Sequence, residues 1–344
     1  MSRKITAVLI WIFLILTLGA VAWFKVTQPR ILVLHSYAPD YSWTRDIDIG
    51  IKRVLDPKLR YKVQWHYMDT KNHPDQEFKR KAGVLARRAI DALQPNLIIA
   101  IDDDAQGYAA KEFAGKPDIS IIFAGINATV DAYGYNKVSN ATGIYERKPL
   151  LDLRRALSEM RGPNGSELGH RIMHLGDQSD SVKADIREME AFDWAPFHIA
   201  ESHLAQTFDD WKKAVAQAKD KADFILVSNY RNIYEAAGKP KLVNPSAVLK
   251  WTESNSPVPV VGMGGFMVEE GGMFAVGASG FEQGEISARM AIEVLDRGAI
   301  PKDIPQAMPR QFLVYIRHSL MAEHGISLPP LYEAFARASN NYYE

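Results

Sequence analysis

Three consecutive carboxylates, Asp102-Asp103-Asp104, follow a short apolar run and precede a helix pattern. Carboxylates accept hydrogen bonds from amines and hydroxyls, and at the start of a helix they meet the positive end of its dipole. One of the three is expected to cap helix 105–113 through its side chain. Adjacent like charges repel, so capping does not account for the whole run. Asp103 and Asp104 are therefore candidates for contact with a ligand amine or sugar hydroxyls. A Ca²⁺ loop is disfavoured, because the D-x-[DN]-x-[DN]-G spacing is absent. A second group, His35, Ser36, Tyr37, Tyr41, Ser42 and Trp43, lies between apolar run 31–34 and a helix pattern at Ile47, Ile51 and Val54/Leu55. Its hydroxyls, Ser36 included, and the flat faces of Tyr37 and Trp43 suit recognition of a sugar or aromatic ring. Packing of Trp43 beneath its own helix is the competing reading. Asn127, in a Gly-Ile-Asn turn after another apolar run, can both donate and accept, and an Asx turn explains it nearly as well. Asn229, in Ser228-Asn229-Tyr230, holds the matching place in the second half. Gly264, within Gly262-Met263-Gly264-Gly265, permits close backbone approach, as would a hinge turn.

These residues need strand ends to hold them. Runs 31–34, 61–67, 97–101 and 119–124 are strand-like. Residues 31–34 are too short for a helix and suit a strand buried on both faces. Helix 75–93 carries Phe78, Ala82, Leu85, Ala89 and Leu93 on one stripe, with Pro74 at its start and Pro95 past its end. Helix 105–113 follows. A second series has strands 171–175, 197–200, 223–227 and 258–262, with helices 181–192, 207–219 and 246–251. Strand 274–277, amphipathic helix 282–297 ended by Gly298, strand 311–316 and helices 319–324 and 329–339 complete the chain. Strands alternating with helices imply βαβ units and parallel sheets, whose ligands bind beyond the carboxyl ends of the strands. Two such series imply two similar lobes, and helix 282–297 with strand 311–316 is surplus to a single second lobe.

Residues 5–24 are apolar apart from Thr6, Thr17 and Gly19. About 20 such residues span a hydrocarbon core. Arg3 and Lys4 precede them, which keeps the short N-terminus in the cytoplasm and exports the rest. The run exceeds the usual signal-peptide core, so an uncleaved anchor is the favoured reading; cleavage after Ala20-Val21-Ala22 is the alternative. The absence of cysteine excludes disulfides, thiol catalysis and cysteine metal sites. The 41 basic and 41 acidic residues balance, with no basic stripe for nucleic acid. The chain has no G-x-S-x-G elbow, P-loop or HExxH, and no G-x-G-x-x-G follows the first strand. His170 and His174 lie along a strand pattern, where four-residue spacing does not clasp a metal. The residues call for no enzyme activity, cofactor or metal.

Four segments carry a family resemblance: ILVLHSYAPDYSWTRDIDIGIKRVL, PNLIIAIDDDAQGYAAKEF, ISIIFAGINATVDA, and the closing FAVGASGFEQGEISARMAIEVLDRGAIPKDIPQAMPRQFLVYIRHSLMAEHGISLPP. From residue 30 to about residue 332 the chain resembles the periplasmic substrate-binding proteins of ABC transporters, in particular the tryptophan/tyrosine-like branch, which also supplies extracytoplasmic sensor domains. The resemblance implies a type I periplasmic-binding-protein fold: two doubly wound parallel α/β lobes joined by a three-segment hinge. Residues 1–29 would be the anchor or signal peptide, 30–143 with 278–309 lobe 1, and 144–277 with 310–344 lobe 2. It also places Tyr145 and Glu146, at the lobe crossing, facing the cleft. Many relatives carry small or hydroxyl residues where this chain has Asp102–Asp104, a departure that speaks against a tryptophan or tyrosine ligand; aromatic faces beside these carboxylates favour a hydroxylated or amine-bearing ligand over an acidic one. The implied role is periplasmic capture of a small molecule for a membrane permease. The alternative is an anchored sensor reporting to a separate signalling receptor.

Overall fold

The computed structural model describes residues 3–344, with side chains from Leu9 onward. The orienting pair Arg3 and Lys4 therefore falls outside the described side chains. Helix α1 (Arg3–Thr27) is long and apolar enough over Leu9–Thr27 to cross a membrane, and none of that stretch is buried against the rest of the protein. Only Gln28 and Pro29 separate it from the first strand, and both are tied to the body: Gln28 Nε2 donates to the Leu59 carbonyl at 2.9 Å, and the Lys62 amide to that of Pro29 at 2.9 Å.

The first lobe is built on β1 (Arg30–His35), α2 (Ser42–Leu55), β2 (Lys62–Tyr67), α3 (Gln76–Leu93), β3 (Leu97–Ile101), α4 (Asp102–Tyr108), β4 (Ser120–Ile126) and β5 (Ala141–Tyr145). Its five strands are all parallel, in the order β2-β1-β3-β4-β5. The continuous apolar runs are the central strands: Leu97 to Ile101 are fully buried, as a strand covered by helices on both faces must be. The second lobe follows with α5 (Leu150–Glu159), β6 (Arg171–Asp177), α6 (Asp180–Ala191), β7 (His198–Ala205), α7 (Phe208–Lys221), β8 (Phe224–Val227), α8 (Pro245–Asn255), β9 (Val260–Gly262), α9 (Phe266–Glu269) and β10 (Phe274–Ala278). Then come α10 (Gly280–Arg297), β11 (Phe312–Arg317), α11 (His318–Glu323), α12 (Pro330–Ala338) and β12 (Tyr342–Tyr343). The second sheet runs β12-β11-β10-β9-β8-β6-β7. Here one pair departs from the parallel rule: β11 runs antiparallel to β10, because the chain re-enters this sheet from the other lobe. The fold is thus two α/β lobes of the type I periplasmic-binding class behind an apolar helix.

The chain passes between the sheets after Tyr145, after Ala278, and between Arg297 and Phe312. Helix α10 packs on the first sheet, sharing its core with Ile47, Ile51 and Ile122. It approaches α2 so closely that a Cβ on Gly284 would stand 2.2 Å from the Ile47 carbonyl oxygen. The head of α10 binds the other crossings together. Gln283 accepts from the Gly125 amide and donates to the Tyr145 carbonyl, both at 2.9 Å. Glu282 accepts from the Arg310 and Gln311 amides.

Candidate functional site

Between the lobes lies a small inner cavity, adjoined by an outer chamber with which it shares Tyr37, Lys71, Asn127 and Ser181. The first lobe's wall comes from loops after parallel strands. Tyr37, Tyr41 and Trp43 follow β1, Lys71 follows β2, Asp102 follows β3 and Asn127 follows β4. The floor is the first crossing, with Glu146 and Lys148. The second lobe supplies Ser181 and Asp185 from α6, Ser228 and Asn229 after β8, and Met263, Gly264 and Phe266 after β9. The lobes also touch directly across the cleft. Arg45 stands 3.3 Å from Glu269, and the Tyr41 ring lies 5.9 Å from Phe266 and 4.6 Å from the Arg231 guanidinium.

Asp102 is the most constrained residue here. It has φ +63°, a left-handed conformation uncommon for any residue but glycine, and is 1 % exposed. Its Oδ1 accepts from Trp43 Nε1 at 3.0 Å, while its Oδ2 is buried without a partner. Burial, and then the charge of Glu146, hold its carboxyl far above the usual range. On the opposite lobe Asp185 Oδ1 and Asn229 Nδ2 are likewise buried with no hydrogen-bond partner. Burial raises the Asp185 carboxyl to about 7, against the pull of the Lys148 ammonium 3.8 Å away. Buried polar atoms in folded proteins are almost always satisfied. Asp102, Asp185 and Asn229 all line the cavity, and their unpartnered carboxyl and amide groups match a molecule that offers both hydrogen-bond donors and acceptors.

Of the residues singled out in the sequence, Tyr37, Trp43, Asn127, Glu146, Asn229 and Gly264 line this cavity. Trp43 satisfies both of its readings, packing on the core of α2 while its indole N–H reaches Asp102. The other four serve the frame. Ser36 is fully buried; its Oγ donates to the Ile101 carbonyl at 2.8 Å and accepts from the Ala105 amide at 2.7 Å. Ser36, not an aspartate, therefore holds the start of α4, which begins at Asp102 rather than at residue 105. Asp103 accepts from the Asn127 and Ala128 amides, both at 3.1 Å, and from the Tyr133 hydroxyl, so it organises the loop after β4. Asp104 pairs with Lys79 at 3.0 Å; both acids face only the outer chamber. Tyr145 is buried, with its ring against Phe123 and its hydroxyl donating to Gln306 at 2.7 Å. His174 is buried on β6, its Nε2 2.9 Å from Ser228 Oγ. The sequence reading missed Asp102 as a cavity residue, and also Lys71, Lys148 and Asp185. Lys71 had the same signal as Tyr37, a polar residue just past a strand's carboxyl end. Asp185 lies mid-helix and carries no such mark.

With this geometry in place the comparisons are decisive for the fold. A family model described as ABC transporter substrate binding protein matches residues 181–336. Over that segment the chain is similar to the ABC transporter substrate-binding proteins. A conserved domain protein from Vibrio cholerae has the same fold, with TM-score 0.63, 14 % identity, and 92 % of this chain and 100 % of that one covered. So does an ABC domain in complex with L-Trp from Streptococcus pneumonia, with TM-score 0.64, 19 % identity, and 90 % and 98 % covered. A chain of a TorS sensor domain–TorT complex solved without ligand matches with TM-score 0.51 and 14 % identity, covering 88 % of this chain and 97 % of that one. No curated protein matches in sequence.

Proposed function

We propose that the chain is an extracytoplasmic receptor that closes its lobes around one small polar ligand, without chemical turnover, and delivers it to an ABC-type importer. The observation that carries this reading is the set of unpartnered buried atoms, Asp102 Oδ2, Asp185 Oδ1 and Asn229 Nδ2, contributed by both lobes to one cavity. A ligand bridging them ties the lobes together, and closure is a hinge motion about the three crossings. The family match supports the transport role. A thermal-shift screen of the full-length protein in detergent, against amino acids, sugars and polyamines, tests it. A ligand of the native state raises the melting temperature by mass action. Substituting Asp102 and Asn229 must abolish that rise; a rise that survives both substitutions rejects this cavity as the site.

A second reading, an anchored sensor that reports occupancy to a separate receptor, is favoured by the short link from α1 to β1. Two intervening residues span at most about 10 Å. If α1 stays in the bilayer, the first lobe is held at its surface and cannot shuttle. The likeness to a sensor-complex chain accords with this. N-terminal sequencing of the mature protein separates the two: a start near Trp23 favours a shuttling carrier, and an intact N-terminus favours the anchored sensor.

A further inference from the structure

Two lysines, Lys71 and Lys148, line the inner cavity, and most cations around it are matched to carboxylates. Lys148 stands 2.6 Å from Glu146, Lys79 3.0 Å from Asp104 and Arg147 3.3 Å from Glu188, and Arg231 is paired with Glu270. Lys71, alone of the two inner-cavity lysines, has no such partner. Among the described residues no carboxylate oxygen lies within the 4.0 Å ion-pair distance of its ammonium. Two of the neighbouring acids are engaged elsewhere. Asp177 accepts from the Ser179 amide at 3.0 Å and the Asn232 amide at 2.9 Å, and Glu146 takes Lys148 and Asn127.

The Lys71 ammonium is held by aromatic faces instead, 4.9 Å from the centre of the Tyr37 ring and 6.0 Å from that of Tyr41. Such contacts orient a cation but do not neutralise it. Thr70, next to it, is pinned by its amide and its hydroxyl to the Ser36 carbonyl, at 2.9 and 2.8 Å, so the loop that presents Lys71 is fixed. Lys71 lies at the junction of the inner cavity and the outer chamber and faces both. Its enclosure lowers its pKa, which marks the charged form as under-compensated.

We propose that Lys71 is the anion-recognising residue of the cleft: the ligand places a carboxylate or phosphate oxygen on Lys71 Nζ while its N–H or O–H groups meet Asp102 and Asp185. This rests on the ligand-binding reading above and sharpens it to a dipolar ligand with its anionic group toward the outer chamber. It departs from the expectation that a hydroxylated or amine-bearing ligand is favoured over an acidic one.

The test uses pairs of probes that differ only in the anionic group: glucuronate and glucose, γ-aminobutyrate and its amide, with glucose 6-phosphate as the phosphate arm. Each is titrated into the full-length protein in detergent, with melting temperature and affinity as readouts. At least one anionic probe is expected to bind more tightly than its neutral counterpart, and the arm that succeeds tells carboxylate from phosphate. Lys71→Gln should weaken that probe by about tenfold or more, the scale of one charge-assisted hydrogen bond. It should leave neutral probes unchanged, and Lys71→Arg should restore binding to within a few-fold. Unfolding of the unliganded variants is measured alongside, so that a folding defect is not read as lost binding. Neutral probes binding as well as acids, or acids binding Lys71→Gln as they bind the parent, would overturn the assignment and leave the cleft reading intact. No shift with any probe, neutral or anionic, would count against both.

Discussion

Replacing Gly284 with alanine tests how the second half of the chain is wired back to the first lobe. The added Cβ would lie 2.2 Å from the Ile47 carbonyl oxygen, 2.8 Å from the Ile51 amide nitrogen and 3.0 Å from the Gly50 Cα. All three are backbone atoms of α2, so no side chain can swing aside. Restoring ordinary contact requires α2 and α10 to part by about 1 Å. Overpacking of this kind costs ~1–3 kcal/mol, and unyielding partners place it near the top of that range. Alanine returns about 1 kcal/mol of helix propensity over glycine. The net expectation is a loss of about 2 kcal/mol, or a melting point lower by about 3 °C for a body of this size. Circular-dichroism melts and urea midpoints measure it. Gly107→Ala is the control: it too is helical, but its nearest neighbour to a new Cβ is 4.0 Å away, so it should be neutral or stabilising. If Gly284→Ala melts with or above the parent, the close α2–α10 contact, and with it the return of the chain to the first lobe, is wrong.

Asp102→Asn should stabilise the unliganded protein at pH 8 by about 1 kcal/mol. It keeps the acceptor for Trp43, removes the cost of holding a buried carboxyl against ionisation and tolerates positive φ better, while ligand-induced stabilisation should fall; a lower melting point would contradict this. Asp185 makes stability pH-dependent. Its carboxyl titrates near 7 in the native state against 3.8 as the reference, so the native state holds the proton longer. Its contribution is present at low pH and is lost as pH rises from about 4 to 7, by up to ~4 kcal/mol. Urea unfolding across that range should show the fall in the parent and a flatter profile in Asp185→Asn; identical profiles would remove the site from the explanation. Trp43→Phe leaves both oxygens of Asp102 unpartnered, so it should cost about 1–3 kcal/mol in the parent and clearly less in the Asp102→Asn background.

The lobes were readable because burial writes itself into composition. Strands covered on both faces, such as β3, are uninterrupted apolar runs, and the stripe of helix 282–297 announced a partner sheet. The site was readable only to the level of loops. A position just past a strand's carboxyl end places a residue near the cleft but does not say which way its side chain turns. That is why Ser36 and Tyr145 point into the frame while Tyr37 and Glu146 face the cavity. In the aspartate run, the left-handed turn at Asp102 sends the first carboxylate inward and the next two to Asn127 and Lys79. That division is made by tertiary contacts such as the Ser36–Ala105 hydrogen bond, 69 residues apart, and has no local signature. Asp185 is invisible for the same reason: only the docking of α6 against the first crossing turns an ordinary helical acid into a cavity residue.

Closure of the two lobes on a ligand is the claim on which the account stands, and the cysteine-free chain suits a direct measurement of it. Arg88→Cys and Lys213→Cys, on exposed helix faces of opposite lobes, would carry spin labels in the full-length protein, and pulsed dipolar spectroscopy would read the distance between them. With a compound that raises the melting temperature, the account predicts that the distance distribution narrows onto one closed population, and that Asp102→Ala with Asn229→Ala abolishes the change. A bound compound that leaves the distribution untouched, or one that still closes the doubly substituted protein, would contradict it.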